Sequence, residues 1–388
     1  MRAGPSRPTF TSAAASGSFL FRVWPGAQAR RRRWYQGNGA IDEGGYRMIR
    51  LGVVGLGFIG GRHVATIDRC EGVALVALVE PDGQRRLALA RDGVVTFASV
   101  EDMLSEADLD GVVIATPSHL HAAPTVACLE AGLHVLVEKP IATTIEDADR
   151  IVEAARLHQR HVLVGYNRRH SDVVAKAKDL IGRSLGDLAA VNGQWTVRKP
   201  GGYFEQDWRR NRAAGPIMIN LTHEVDLLRH FCGDVESVSA VGTNRVRRFD
   251  KEDVVAVTLR FRAGVLGTFL LSDSLLSPWS WELATGESDE FRATWQNCYR
   301  FMGTEGSLEF PNLVLWRSSA PDPSWMHPIE AEQISTRRAD AFLTQIAHFR
   351  DVIVGQSPPL ATAWDGRETL RTTLAVQEST LSEKTVRL

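Results

Sequence analysis

Residues 48–61 read Met-Ile-Arg-Leu-Gly-Val-Val-Gly-Leu-Gly-Phe-Ile-Gly-Gly. A short apolar run (Ile49, Leu51, Val53, Val54) passes straight into Gly55-x-Gly57-x-x-Gly60, and a segment of helical character from Ile59 to Arg69 follows. Strand, glycine turn and helix, in that order, are what a dinucleotide site requires. Gly55 permits the tight turn, Gly57 lets the backbone approach a pyrophosphate, and Gly60 lets the helix pack closely on the strand. The anion then rests at the helix N-terminus, where free N–H groups and the helix dipole point. Phe58 and Ile59 belong to the same cofactor-binding loop. A second apolar run, Val73 to Val79, ends in Glu80, twenty residues beyond Gly60. A carboxylate there accepts hydrogen bonds from the adenosine ribose hydroxyls and repels a 2′-phosphate, which predicts NAD. Arg85 and Arg86 keep NADP open as the alternative.

At 388 residues the chain exceeds one ordinary core, and two domains are expected. Its 44% hydrophobic and 23% charged residues describe a globular protein. No apolar run approaches the length of a membrane span, so no membrane association is expected. Cys70, Cys128, Cys232 and Cys298 show neither C-x-x-C nor metal-ligand spacing; they read as reduced thiols of a cytoplasmic protein, with no metal. Residues 1–47 hold eight arginines and two acids, a charge of +6, which leaves −7 for the remainder of a chain whose total is −1. An acidic body offers no bulk attraction for nucleic acid. The head, with Arg30-Arg31-Arg32-Arg33, has the composition of a transit peptide but no apolar h-region of a secretory signal. Because Met48 begins a self-sufficient start, 1–47 is expected to be an over-extended or disordered N-terminal segment.

Apolar runs at 49–54, 73–79, 111–115, 133–137 and 161–165 alternate with helix-like segments at about 59–70, 83–91, 100–106, 119–132 and 144–158. Ser99 and Thr143 or Thr144 are candidate helix caps. This alternation predicts a Rossmann-type, doubly wound parallel sheet over 48–166. Ligands of such sheets bind beyond the carboxyl ends of the strands. From 167 to 388 the pattern changes to a helix at 173–181, strand-like runs at 188–198, 235–243, 253–261 and 265–272, and closing helices near 339–354 and 364–383. Gly264 fits a turn between two of the strands. An α+β domain on a largely antiparallel open sheet is expected there, for substrate binding and oligomerisation, with its last helices free to pack back on the first domain. Eight of ten tryptophans lie from Trp195 onward, an aromatic load that suits a sheet face or interface.

The ends of the apolar runs carry the chemistry. They read Ala115-Thr116-Pro117-Ser118-His119-Leu120-His121, Glu138-Lys139-Pro140 and Gly165-Tyr166-Asn167-Arg168-Arg169; later come Gly215-Pro216-Ile217-Met218-Ile219-Asn220-Leu221-Thr222-His223-Glu224-Val225-Asp226 and Met302-Gly303-Thr304-Glu305-Gly306-Ser307-Leu308. Together, over 48–388, these resemble the glucose–fructose oxidoreductase/inositol dehydrogenase family, Gfo/Idh/MocA. The resemblance implies a nicotinamide cofactor in a cleft between a Rossmann domain and a C-terminal α/β domain. It implies hydride transfer from a secondary alcohol of a sugar, inositol or related polyol, in a homodimer or homotetramer.

Lys139 and His223 are the catalytic candidates. A partly desolvated ammonium stabilises a developing alkoxide, and an imidazole accepts the hydroxyl proton as hydride leaves. Pro140 restricts Lys139 to an extended conformation. Asp226 and His230, at helical spacing from His223, are placed on the same helix side, where Asp226 can orient the ring or cap a neighbouring group. The resemblance assigns Thr116, Pro117, His121 and Glu138, with Lys139, to the cofactor, and Asn167 and Arg168 to the substrate. Arg169 reads equally well as a surface charge. Lys199-Pro200-Gly201-Gly202-Tyr203 and Trp208-Arg209-Arg210 precede the His223 segment. Tyr203, Trp208 and one or two of these cations, Arg209 among them, suit a sugar-binding wall, because aromatic faces stack on C–H surfaces and cations bind hydroxyls or carboxylates. One position departs from the family. Many members carry an aspartate four residues before the histidine; here that residue is Ile219, and Asn220 follows. Asn cannot act as a base but can bind a substrate hydroxyl. The departure leaves three alternatives to a polyol dehydrogenase: glycoside cleavage through transient sugar oxidation, oxidation of a dihydrodiol, and a non-catalytic NAD-sensing regulator.

Overall fold

The chain runs β1 (Ile49–Val54), α1 (Phe58–Ile67), β2 (Val73–Val79), α2 (Gly83–Ala88), β3 (Val95–Phe97), α3 (Val100–Glu106), β4 (Gly111–Ile114), α4 (Ala122–Glu130), β5 (His134–Val137), α5 (Ile145–His158) and β6 (Val162–Val164) in its first half. The computed structural model describes residues 48–288, 290–337 and 339–388; the expectation for 1–47 lies outside them. β1 is buried along nearly its whole length, as befits a central strand covered on both faces. It pairs in parallel with β2 and β4 in a six-stranded sheet of order β3-β2-β1-β4-β5-β6. β3 has no counterpart in the sequence reading, since three residues are too few for a pattern; pairing with β2 holds it. Ser99 Oγ accepts from Asp102 N at 3.2 Å, and Thr144, not Thr143, caps α5 by accepting from Asp147 N.

Register decides the site. Val54 lies opposite Val79 and Ile114, Ile114 opposite Val137, and Val137 opposite Val164. The strands therefore stop level, and Gly55, Glu80, Ala115, Glu138 and Gly165 leave the sheet along a single edge.

The second half contains α6 (Asp172–Ser184), β7 (Leu188–Thr196), α7 (Thr222–Cys232), β8 (Val235–Thr243), β9 (Val254–Phe261), β10 (Leu266–Ser272), α8 (Trp281–Thr285), β11 (Tyr299–Gly303), β12 (Gly306–Phe310), β13 (Val314–Arg317), β14 (Glu330–Gln333), α9 (Ala341–Ile353), α10 (Ala363–Ser382) and β15 (Val386–Arg387). Nine strands form one sheet in the order β14-β13-β12-β11-β7-β10-β9-β8-β15, with only β7 and β10 parallel. On β9, Val255, Val257, Leu259 and Phe261 point inward while Ala256, Thr258 and Arg260 are exposed, the alternation of a sheet covered on one face. Val174, Leu180, Leu228, Phe231 and Val376 from α6, α7 and α10 fill the inner side. Val241 and Leu266 stay exposed on the strands. Gly264 turns β9 into β10 with φ +88°. The strands β11 to β14 are absent from the sequence reading, because they are short, broken by glycine and proline, and partly polar.

The two closing helices reach back. Ile346 and Phe349 of α9 and Leu370 of α10 are buried with the core of the first sheet. Gly111 has no room for a side chain there, since a Cβ would lie 2.8 Å from Ile353. Val164 N donates to Ala361 O at 2.8 Å, and Gly366 lets α10 lie directly against Val164. Among the described residues no helix is long and apolar enough to cross a membrane.

Candidate active site

The glycine loop has the shape the sequence demands. Gly55 sits at φ +89°, and a Cβ there would lie 2.8 Å from Ala115 O and Thr116 N. A Cβ on Gly60 would lie 1.9 Å from Gly55 O, whereas Gly57 faces open space. Gly57 precedes α1 without any side-chain cap, so the first-turn amides of that helix are left for a ligand. Glu80 is buried, and its two oxygens accept from Leu56 N (2.9 Å) and Asp82 N (3.1 Å), which aims the carboxylate across the loop. Each oxygen retains acceptor capacity for a ribose hydroxyl. Thr116 Oγ1 is buried without a partner among the described residues, and Phe58 and Pro117 are exposed beside the loop. A cradle closed to side chains, uncapped amides and an orphaned hydroxyl fit a bound dinucleotide. Arg86 turns to the carbonyls of Glu80 and Pro81, while Arg85 is exposed.

Two residues assigned to the cofactor from sequence are spent inside the protein. Glu138 Oε1 meets His63 Nε2 at 2.7 Å, and Oε2 accepts from Lys139 N at 3.2 Å. Burial opposes its charge, yet His63 and Lys139 hold the carboxyl below its usual range. Gly165 makes room for it, since a Cβ would sit 2.9 Å from the carboxyl carbon. His121 is likewise buried, its Nδ1 2.9 Å from Pro140 O and its Nε2 2.8 Å from Thr116 O. It fastens the Thr116 loop to the Lys139–Pro140 turn, where the peptide is cis.

Lys139 and His223 come together at this edge. His223 lies in the first turn of α7, after a turn of wider winding, Ile217–Leu221. Along that stretch Met218, Ile219, Asn220 and His223 are half-buried while their neighbours on the helix are buried, so Asn220 and His223 share the accessible face. Burial, then the charges of Lys139 and Arg168, hold the His223 imidazole well below its ordinary pKa. It is neutral at pH 7. Burial also lowers the Lys139 ammonium; Glu138 and Glu282 oppose the shift and Arg168 adds to it. The Tyr166 ring stands edge-on to His223, with centroids 6.5 Å apart.

Arg168 acts differently from the sequence expectation. It is buried, with Nη1 donating to Glu224 (2.6 Å) and Nη2 to Glu282 (2.8 Å), so its fork is already occupied. Glu282 in turn accepts from Trp195 Nε1 at 2.9 Å. The guanidinium reaches the site through its field on Lys139 and His223. Asp226 does not touch the His223 ring: its oxygens accept from Arg169 at 2.9 and 2.7 Å. Arg169 is thus a buried structural cation and not a surface charge. Asn167 is half-buried on the turn beside them.

In the second half, Arg209 Cζ lies 4.3 Å from the Tyr203 ring centroid and 5.3 Å from that of Trp208. Trp208 is 55% exposed, open for stacking. Asn220 Oδ1 accepts from Lys199 Nζ at 3.0 Å. Lys199, one of the cations that the sequence offers for the sugar-binding wall without a role of its own, is the one that reaches Asn220. All four cysteines are buried and free, and no metal-binding group of side chains occurs among the described residues.

Comparison with known proteins agrees with this geometry. Residues 49–166 match the profile of an oxidoreductase family with an NAD-binding Rossmann fold, and 174–309 match the GFO/IDH/MocA C-terminal domain. The chain is 30% identical over 339 residues to 1,5-anhydro-D-fructose reductase of Ensifer adhaerens, covering 85% of this chain and 95% of that protein. It is 32% identical over 227 residues to inositol 2-dehydrogenase of Leifsonia xyli, covering 56% and 64%. Among solved structures it resembles the WlbA dehydrogenase of Chromobacterium violaceum in complex with NADH and UDP-GlcNAcA, with TM-score 0.70, 26% identity, and 88% and 96% coverage. The fold also matches aldose-aldose oxidoreductase of Caulobacter crescentus, with TM-score 0.70, 22% identity, and 88% and 100% coverage. The chain belongs to the Gfo/Idh/MocA family of NAD-binding oxidoreductases, as a dehydrogenase acting on CH–OH groups.

Proposed function

We propose that this protein oxidises a secondary alcohol of a sugar, inositol or related polyol, with residues 48–166 holding the cofactor and 167–388 shaping the substrate pocket. The observation that carries the reading is a neutral imidazole, His223, within the field of a partly desolvated ammonium, Lys139. NAD, when bound, supplies the hydride acceptor. His223 takes the hydroxyl proton, and Lys139 stabilises the oxyanion left on the substrate oxygen. Burial, then the charges of Lys139 and Arg168, keep His223 unprotonated, and Glu224 and Glu282 hold the Arg168 guanidinium in place. Asn220, Asn167, Tyr203, Trp208 and Arg209 position the ring.

Inositol 2-dehydrogenase and 1,5-anhydro-D-fructose reductase, both similar to this chain, bear names of cyclic polyol and sugar chemistry. The open face of the nine-stranded sheet, with Val241 and Leu266 exposed, suits a homodimer or homotetramer.

NADH formation at 340 nm with aldoses, inositols, uronates and dihydrodiols tests the reading. Turnover abolished by both Lys139→Ala and His223→Ala supports it. Release of an aglycone without NADH accumulation points instead to glycoside cleavage. NAD binding without turnover of any kind points to a regulator.

A further inference from the structure

We propose that Lys199 and Arg209 form an anion subsite beside Asn220, so that the substrate is a sugar-type alcohol bearing a carboxylate or phosphate. The inference rests on the reading of His223 and Lys139 as the reaction centre. Lys199 is rigidly placed: its backbone N donates to Asp273 O at 3.0 Å, and its carbonyl accepts from Arg247 at 2.5 Å. Its side chain is 13% exposed, with Nζ 3.0 Å from Asn220 Oδ1 and 4.7 Å from the Tyr203 ring centroid. The nearest carboxylate, Asp273, is 3.9 Å away. Asp273 is already engaged, by Lys251 Nζ at 2.6 Å and Ser274 Oγ at 2.9 Å, both inside the protein. Lys199 thus has a neutral amide as its close partner, and an ammonium carries three donors.

Arg209 is in a similar state. Its Nη1 donates to Tyr203 O at 2.9 Å, and its Nε is buried without a partner among the described residues. The guanidinium lies 4.3 Å from the same Tyr203 ring that Lys199 faces. Two cations therefore meet at one aromatic ring, and the carboxylates that act on Lys199, Asp273 and Glu282, are both bonded to other groups, Asp273 to Lys251 and Glu282 to Arg168 and Trp195. Burial, opposed by Asp273 and reinforced by Lys251, pushes Lys199 down to about 8, as expected of a cation without a counter-charge of its own; it is still mostly charged at pH 7. Asn220 connects the pair to the chemistry, since it shares the accessible face of its helix with His223. An anionic group on the substrate meets the spare donors of both cations and leaves a ring carbinol toward His223.

Calorimetric titration of the full-length protein saturated with NADH tests this without requiring turnover. The ligands are glucose and galactose, their uronates, and their 6-phosphates. At least one anionic arm is expected to bind about tenfold or more tighter than its neutral parent, and the two arms separate carboxylate from phosphate. Lys199→Met is expected to remove that preference while shifting the neutral sugar by no more than about threefold, and Lys199→Arg to restore most of it. No preference for either anion in the wild type, or equal losses for neutral and anionic ligands in Lys199→Met, overturns the subsite. Parallel assays at 340 nm with NAD separate the two readings: Lys199-dependent anion binding without NADH formation removes the dehydrogenase reading and leaves the subsite standing.

Discussion

Both oxygens of Asp226 accept from the guanidinium of Arg169, at 2.9 and 2.7 Å, and both residues are buried. The pair pins α7, which carries His223, to the end of β6; Arg169 also donates to Leu360 O at 2.9 Å, ahead of α10. Removing Asp226 strips the buried guanidinium of its two short bonds and leaves it Asp365 at 3.5 Å; breaking a buried pair typically costs about 3–5 kcal/mol. Asp226→Ala is expected to lose stability of that order in urea unfolding. Thermal unfolding that matches the wild type sinks the assignment.

Gly60 and Gly61 are neighbours with opposite tolerances. A Cβ on Gly60 would lie 1.9 Å from Gly55 O, whereas nothing lies within 4 Å of one on Gly61. Gly60→Ala should displace the loop and weaken NADH binding by at least about tenfold, roughly 1.4 kcal/mol. Gly61→Ala, inside α1, should keep binding and gain up to about 1 kcal/mol of stability from helix propensity. Fluorescence titration of NADH with both variants decides between a steric and a general intolerance of the loop.

The pH profile follows from the depressed values of His223 and Lys139. Alcohol oxidation needs neutral His223, which is lost as pH falls through its folded pKa, well below 6.5. It also needs cationic Lys139, which is lost as pH rises through a value below 10.5. The kcat/KM profile should therefore keep its plateau below pH 6.5. Loss of the acid limb in His223→Asn, with kcat reduced by about 10²–10⁴, identifies the base. An acid limb near 6.5 that survives this substitution contradicts the assignment.

Acid lability should come from neutral buried histidines. Burial, with nearby cationic groups, lowers His170 to about 3 and His230 to about 3, and it lowers His134 to about 4. Each binds a proton in the unfolded chain below about pH 6.5 but in the folded chain only near 3 or 4. The stability they provide is complete above 6.5 and falls as pH drops through that window, by about 1.4 kcal/mol per pH unit per histidine at its steepest. Glu224, raised to about 7 by burial, works the other way and offsets part of the loss between pH 7 and 4.5. Urea midpoints between pH 7.5 and 4.5 measure the slope, and His170→Asn should flatten it.

The sequence by itself determined the architecture and the place of the candidate site. β-branched runs alternating with helical periodicity dictate a parallel sheet, and the glycine spacing dictates the turn after β1, because these are local constraints on backbone and burial. It also offered Lys139 and Glu80 as candidates, each just past a readable strand, and His223 through the family resemblance and its helical spacing to Asp226 and His230. Partner choice was decided only by the tertiary structure. Nothing near Arg168 in the chain announces Glu224 and Glu282, and nothing near Asp226 announces Arg169; each pair spans more than fifty residues. The same holds for Lys199, which becomes a pocket cation only because β10 delivers Asp273 to Lys251 and the turn before α7 delivers Asn220. The strands β11 to β14 are too short to carry a pattern of their own, and their pairing exists because the sheet edge at β7 receives them. Spacing along a chain fixes what a segment can become, whereas burial and charge compensation between distant segments fix which polar groups are left free to act.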